Sequence, residues 1–582
     1  MINVGIRESY FWKRHHINGA VIFLKGYIYS HTISDIINHI NALKKENIEN
    51  FINSLDGNFA IVVQKEEFTF IAVDKIRSTP IFFTMIEGIF YIDCDPAALV
   101  KKDRFKQELR DIAILELSMS GYTVGNKTVY RELHSLKAGE LVIFNNINFK
   151  YIQYYKFFGG IEYKKYDNYI EELSQVTLNI FQKMLSQIGG RQIIVPLSAG
   201  NDSRLVVSVL KHLGAKNVKC YSYGSNKNFE VDIAKVIAKK LGYEHIFLPL
   251  GYKSEKKYYS SKDYNEFLKF SETYCSVSYV QSLSTIKYLK DMDFIDSNAV
   301  FINGNSGDFI SGSHINSLSK YRGTGVSQEF IKENILNSLI NKHFSLWGYL
   351  KTKKNIEKIK ISLWNEIAIS CKDGLNDIEK THLIYEYSEF IDRQSKYVIT
   401  GQRAYEFYGY DWRLPLWDDE FLHFWKKVPV EFKENQSLYT DMLKKKNFGN
   451  VWGEDIPVNK KNITPKWIAP IRFLIKVPFG LFGNYGKIFW KRIDKVVFNY
   501  WMVNTHTLKA FDYLRILTDV AWTLYSPRSI FIRFMELLII FNMEKLACFN
   551  TFRVSICSLV KFPSAFKRSG THMTTLRGVL RS

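Results

Sequence analysis

From residue 192 to residue 248 the chain alternates short apolar strands with amphipathic helices, and no other feature restricts its fold as much. Residues 192–197 (QIIVPL) read as a strand and 219–223 as a second. Between them, 203–213 reads as a helix with Leu205, Val206, Val209, Leu210 and Leu213 facing inward. Residues 230–241 supply another helix, stopped by Gly242 ahead of a strand at 245–248. Strands and helices of these lengths in alternation imply βαβ units, hence a parallel sheet with right-handed crossovers.

The first strand runs directly into Ser198-Ala199-Gly200-Asn201-Asp202-Ser203, which opens the following helix. A loop in that position aims backbone N–H groups, with the helix dipole behind them, at an anion. Gly200 allows close approach, Ser198 and Ser203 offer hydroxyls, and Asp202 offers a carboxylate for Mg²⁺, so pyrophosphate is the natural guest. The alternative reading is a polar turn in which Asp202 or Ser203 merely caps the helix. The loop lacks GxxxxGK[ST], which removes the reason to expect γ-phosphate transfer. A second strand, 299–303, leads into Gly304-Asn305-Ser306-Gly307-Asp308, where Asp308 can supply a second carboxylate to the same metal.

At 582 residues the chain is too long for one core, and the expected domains are 1–160, 165–450 and 451–582. The first shows short β-rich runs at 59–63, 68–73, 81–84, 89–92 and 140–144, the pattern of an α+β domain. Residues 168–188 read as an amphipathic helix entering the second domain, whose later part, 325–450, is mainly helical in pattern. Between Trp467 and Arg492 basic and aromatic residues crowd together. They suit either a membrane-surface helix or buried helix packing. The net charge of +21 favours anionic partners, or simply reflects abundant lysine. No nucleic-acid-binding module accompanies the charge. Six cysteines without CxxC spacing and no visible export core point to a reducing, cytoplasmic setting, with peripheral contact at the inner membrane face as an option.

The two loops resemble the PP-loop (SGGxDS) and the later GxGxDE loop of the asparagine synthetase family. Glu230–Ala234 with Lys240-Leu241-Gly242 is similar to the helix after that family's adenine-binding strand, and Asp411–Asp418 (DWRLPLWD) to its ExRxPFLD segment. Leu55–Ala60, Asp74 with Arg77–Pro80, and Thr128–Gly139 are similar to its glutaminase domain.

This resemblance implies an α/β chain with an Ntn-hydrolase-like α+β domain followed by a PP-loop ATPase parallel-sheet domain with a helical C-terminal part. ATP would adenylate a carboxylate, aspartate or another such as an acidic sugar, and ammonia or an amine, with a separate protein as one source, would attack. Leu197, Ser198, Ala199, Gly200, Asn201, Asp202, Ser203, Ser222, Tyr223, Gly224, Gly304, Ser306 and Gly307 would hold ATP and pyrophosphate. Asp202 and Asp308 would hold Mg²⁺, and Arg413 would orient an acidic substrate or pair with Asp411 or Asp418.

Three departures matter. Ile2 stands where the family's nucleophilic cysteine is expected, so glutamine hydrolysis is not; beta-lactam synthetase is similar in that respect. Ala199, Asn305 and Phe309 replace a glycine and two glutamates. Leu438 stands in the place of a lysine, with Lys444–Lys446 as candidate substitutes. A catalytically degenerate binding or scaffold protein is therefore the rival expectation.

Overall fold

The computed structural model describes residues 2–458 except 18, 146–147, 225–228, 251, 316–326, 347–349, 373–374 and 376–379, together with 468–480 and positions 483, 486 and 490. The N-terminal part builds β1 (Ile2–Val4), β2 (Lys13–Ile17), β3 (Ala20–Ile28), β4 (Gly57–Lys65), β5 (Thr69–Val73), β6 (Phe82–Ile86), β7 (Ile89–Asp93), β8 (His134–Ser135), β9 (Glu140–Phe144) and β10 (Phe149–Gln153). Six of these form an antiparallel sheet ordered β10-β9-β5-β4-β3-β2, and four form a second sheet ordered β1-β7-β6-β8.

Side-chain alternation explains the layering. Val62 and Ile71 face the second sheet, meeting Phe83, Phe90 and Ile92. Their neighbours Ile61, Val63, Phe70 and Ala72 face away, against Ile36, Ile40, Ile48 and Ile52 of the helices Ile33–Ala42 and Ile48–Ser54. Both faces of β4 and β5 are thus buried, which is why these strands read as nearly unbroken apolar runs. The family-like segments are structural here. Asp74 closes the turn after β5 by accepting from Phe59 N at 2.9 Å and Ile76 N at 2.8 Å. Gly57, at φ +127°, lies so close to β3 that a Cβ would sit 2.3 Å from the Tyr27 carbonyl oxygen.

In the second part β11 (Ile193–Pro196), β12 (Val218–Gly224), β13 (Glu244–Pro249), β14 (Val300–Ile302) and β15 (Asp411–Arg413) form one parallel sheet ordered β13-β12-β11-β14-β15. The chain winds from β11 toward β13 on one side and later adds β14 and β15 on the other. The winding direction therefore reverses between β11 and β14, paired through Ile193↔Val300, and ligands of such sheets bind at that point beyond the strand C-termini.

Buried ion pairs join the two parts. Lys25 on β3 meets Glu406 at 2.7 Å. Lys396 donates to Asp392 at 2.9 Å and also to the carbonyls of Thr123 and Gly125 in the N-terminal part. The Gly125 N–H returns a bond to Asp392 at 2.9 Å.

Candidate active site

The loop after β11 enters the helix Asn201–His212 with Gly200 at the N-cap and no side chain capping the first turn. Its leading N–H groups are thereby left to an incoming acceptor. The two serines brace the loop: Ser198 N donates to Ser203 Oγ at 3.0 Å, the hydroxyls lie 3.1 Å apart, and Gly200 N donates to Ser198 Oγ at 3.2 Å. Only one hydroxyl hydrogen is used between the pair, so one remains for a phosphate oxygen. Arg204, fully buried on the same helix, fastens the loop from behind. It donates to the carbonyls of Ala199 at 2.9 Å, Ile456 at 2.8 Å and Pro457 at 3.1 Å. Arg204→Met strips these carbonyls of a charged donor and is expected to lower stability by about 2 kcal/mol in denaturant unfolding.

The loop after β14 packs directly on this helix start. Asp308 N donates to Asp202 Oδ2 at 3.2 Å, and Tyr439 donates to Asp202 Oδ1 at 3.1 Å. Gly307 fits because nothing larger does: a Cβ there would sit 2.4 Å from Asp202 Oδ1. Burial, reinforced by the charge of Asp308, pushes the Asp202 carboxyl up to about 7. Burial alone would also raise Asp308 and lower His314. The 3.5 Å contact between their side chains, with Glu389 on the far side of the imidazole, leaves Asp308 below and His314 above their ordinary ranges.

Both carboxylates line one cavity of about 430 Å³ with Ser198, Gly200, Asn201, Ser203, Tyr223, Gly304 and Ser306. The sequence had not pointed to Tyr279, Gln281, Tyr405 and Gln436, which line it too. Among the described residues no group of three or more His, Cys, Asp or Glu could hold a metal. Two carboxylates at one cavity nevertheless fit a Mg²⁺ that completes its shell with phosphate oxygens and water.

Several expected residues lie elsewhere. Arg413 does not reach this cavity. It is held under the N-terminal part by Asp411 at 2.9 Å and Gln187 at 3.1 Å, with the Tyr27 ring 4.0 Å from its guanidinium. Of its two readings the ion pair with Asp411 is the one observed, because β15 ends at the domain junction. Leu197, Ala199, Ser222, Gly224 and Gly307 are also absent from the lining. Ser222 spends its hydroxyl on the Leu197 carbonyl at 2.6 Å, and the buried Ala199 carbonyl serves Arg204. Lys445 and Lys446 face outward to Asp167 at 3.0 Å and Glu171 at 2.5 Å, and Lys444 is exposed, so this run does not replace the missing lysine.

Behind Asp308 lies a buried hydrogen-bonded chain. Glu389 takes His314 Nδ1 at 2.6 Å, His343 Nε2 at 2.9 Å and Gln394 Nε2 at 2.9 Å. Gln394 Oε1 in turn accepts from Ser306 at 3.0 Å. Gln394 belongs to a π-helical stretch, Phe390–Val398, a distortion that often marks functional sites. Helical patterning reveals such a stretch poorly, and His314 and Glu389 carry no local motif.

In the N-terminal part the one cysteine is Cys94, and burial, reinforced by Asp93 beside it, pushes its thiol up to about 12, away from the reactive thiolate form.

An Ntn-type layered domain followed by a parallel sheet with a phosphate-type loop at its switch point defines a class: an amidotransferase-like domain fused to an ATP-using domain. Comparison with protein families agrees. The glutamine amidotransferase domain matches residues 28–155 and asparagine synthase matches residues 188–446. The chain thus carries the two-domain architecture of the asparagine synthetase family, whose second domain is a ligase domain that uses ATP, normally with Mg²⁺, to make amides. No curated protein matches the chain. Among solved structures, it is similar to glutamine phosphoribosylpyrophosphate amidotransferase from B. subtilis complexed with ADP and GMP. That similarity, at 10% identity and a TM-score of 0.18, covers 50% of this chain and 63% of that one and is too low to bear on function.

Proposed function

We propose that the chain is an AMP- and pyrophosphate-forming ligase that activates a carboxylate as an acyl-adenylate and passes it to ammonia or an amine without hydrolysing glutamine. The supporting observation is that Asp202 and Asp308, from loops after adjacent strands, enter one cavity at the switch point. In this reading the first-turn N–H groups and the spare serine hydroxyl bind the β and γ phosphates as they depart, when their charge grows. Asp202 and Asp308 would hold Mg²⁺, which would neutralise part of that charge. Tyr439 fixes the Asp202 rotamer, and the glycines at 304 and 307 let the two loops close to hydrogen-bond distance. Tyr223, Tyr279 and Gln281 wall the cavity and serve the adenosine and acyl ends, excluding water that would consume the adenylate. Aspartate or another carboxylate, such as an acidic sugar, is the substrate in this reading. The raised Cys94 thiol and the position of Ile2 on β1, where it pairs with Phe90, support the loss of glutaminase activity.

Carboxylate-dependent exchange of pyrophosphate into ATP across a broad acid panel tests this. Exchange with one acid class is expected; ATP binding with no exchange for any acid would defeat the reading. The pH dependence adds a check. Asp202 holds its proton below about 7 and releases it above, so protons compete with Mg²⁺. The apparent Mg²⁺ affinity of the ATP complex, measured by calorimetry, is expected to fall roughly tenfold per pH unit below about 7, more steeply than for free ATP.

A second reading, a binding or scaffold protein, draws on the departures. Asn305 lines the cavity in place of an acid, Phe309 is buried with its ring 5.9 Å from that of Trp417, and Leu438 is buried. Unchanged nucleotide affinity in Asp202→Ala, with no turnover in the native chain, favours that reading.

A further inference from the structure

The helix Ile468–Gly480 carries a surface that the ligase reading leaves unused. Ile471, Phe473, Leu474, Ile475 and Val477 are 41%, 66%, 68%, 41% and 53% exposed. No other stretch among the described residues gathers five exposed large apolar side chains within seven positions. Isolated exposed apolar residues are ordinary, whereas a contiguous set marks a surface that is covered in use.

The helix also has a direction. At 3.6 residues per turn Phe473, Val477, Leu474, Ile471 and Ile475 fall on one broad arc, while Arg472 and Lys476, four positions apart, share the opposite side. Phe479 lies outside the apolar arc and packs on Trp490, with ring centroids 5.9 Å apart. The charge around the helix has one sign: from Ile456 to Ile493 the sequence contains eight Lys and Arg and no Asp or Glu. A protein partner or a second copy of this acid-free segment would have to bring basic surface against basic surface or supply its own acids. An anionic bilayer supplies both things the helix lacks, an apolar layer and a negative plane beside it. Thirteen residues rise only about 20 Å and include two basic ones, so the helix lies in the interface rather than crossing the bilayer. Among the described residues no helix is long and apolar enough to span one.

We propose that Ile468–Gly480 is a membrane-surface helix that docks the enzyme on anionic lipid, the arc of Ile471, Phe473, Leu474, Ile475 and Val477 entering the acyl boundary and the basic residues meeting phosphate headgroups. The test uses the full chain with phosphatidylcholine vesicles, with and without phosphatidylglycerol, in a sedimentation assay. The native chain is expected to sediment with the anionic vesicles and to be released by salt. Phe473→Glu with Leu474→Glu is expected to weaken binding about a hundredfold, the loss of two buried apolar side chains. Arg472→Gln with Lys476→Gln is expected to weaken it about thirtyfold, at about 1 kcal/mol per charge. Because these side chains lie outside the nucleotide cavity, Mg-ATP binding is the control for folding and is expected to be unchanged. Three outcomes overturn the proposal: the native chain stays in the supernatant, the glutamate variant sediments as well as the native chain, or the native chain self-associates in solution through this face and the glutamate variant does not. The last would identify a second copy as the occupant.

Discussion

Asp202→Asn is expected to reduce carboxylate-dependent pyrophosphate exchange by about a thousandfold, the scale seen when one preorganised electrostatic contact to developing charge is lost. The substitution keeps shape: asparagine fits against Gly307, its amide oxygen can still accept from Asp308 N, and its amide nitrogen can donate to the Tyr439 hydroxyl. What disappears is the charge. In the absence of metal that charge is a burden, because burial and Asp308 already push the carboxyl up to about 7. The variant is therefore expected to melt slightly higher than the native chain at pH 8 while losing activity, since a like-charge pair is relieved. A variant that loses activity and also melts well below the native chain would show Asp202 to be a structural residue and not a metal ligand. Asp308→Asn is expected to lose activity similarly. Its side chain is 56% exposed, so its effect on melting is expected to be smaller.

The largest effect on stability is expected from Lys396→Met, about 3 to 5 kcal/mol, the usual consequence of stranding one member of a buried ion pair. Lys396 and Asp392 are both almost inaccessible, and the ammonium also serves the Thr123 and Gly125 carbonyls across the domain junction. Removing it leaves Asp392 charged among groups that already push its carboxyl up, burial first among them. The stranded carboxylate can escape only by taking up a proton. The deficit measured by urea unfolding is therefore expected to shrink as pH falls from neutral toward the carboxylate range, and Asp392→Asn in the same chain is expected to recover part of it. A deficit independent of pH would mean that the lost carbonyl bonds, rather than the stranded charge, dominate.

The sequence and the structure agree best where local pattern and tertiary role coincide. Residues 192–248 alternate so regularly that β11, β12, β13 and the helices between them were readable to within two residues, and Ser198–Ser203 and Gly304–Asp308 announced themselves by small residues next to an acid. In the N-terminal part β4, β5, β6, β7 and β9 were legible as short β-rich runs, but β1, β2, β3, β8 and β10 were not read. Residues 20–24 look like a short isolated run until their antiparallel pairing with Lys13–Ile17 shows them to be one arm of a hairpin. Arg413 was left with two readings by the sequence. A buried arginine in a family-like segment invites a substrate role, and only the position of β15 beneath Tyr27 shows that it binds Asp411. Tyr439, His314 and Glu389 were invisible because their roles depend on which loops meet at the switch point, and that is a property of the sheet order. The charge of Lys444–Lys446 was equally misleading, since the face of the helix Ser437–Lys446 decides which way it points.

Analysis of the nucleotide products by phosphorus NMR, with Mg-ATP, ammonium and the carboxylate that supports exchange, bears on the central claim most directly. AMP and pyrophosphate in equal amounts, absent in Asp202→Asn, are the result expected from two aspartates closing on one triphosphate. ADP with inorganic phosphate, or turnover that survives in Asp202→Asn, would contradict it.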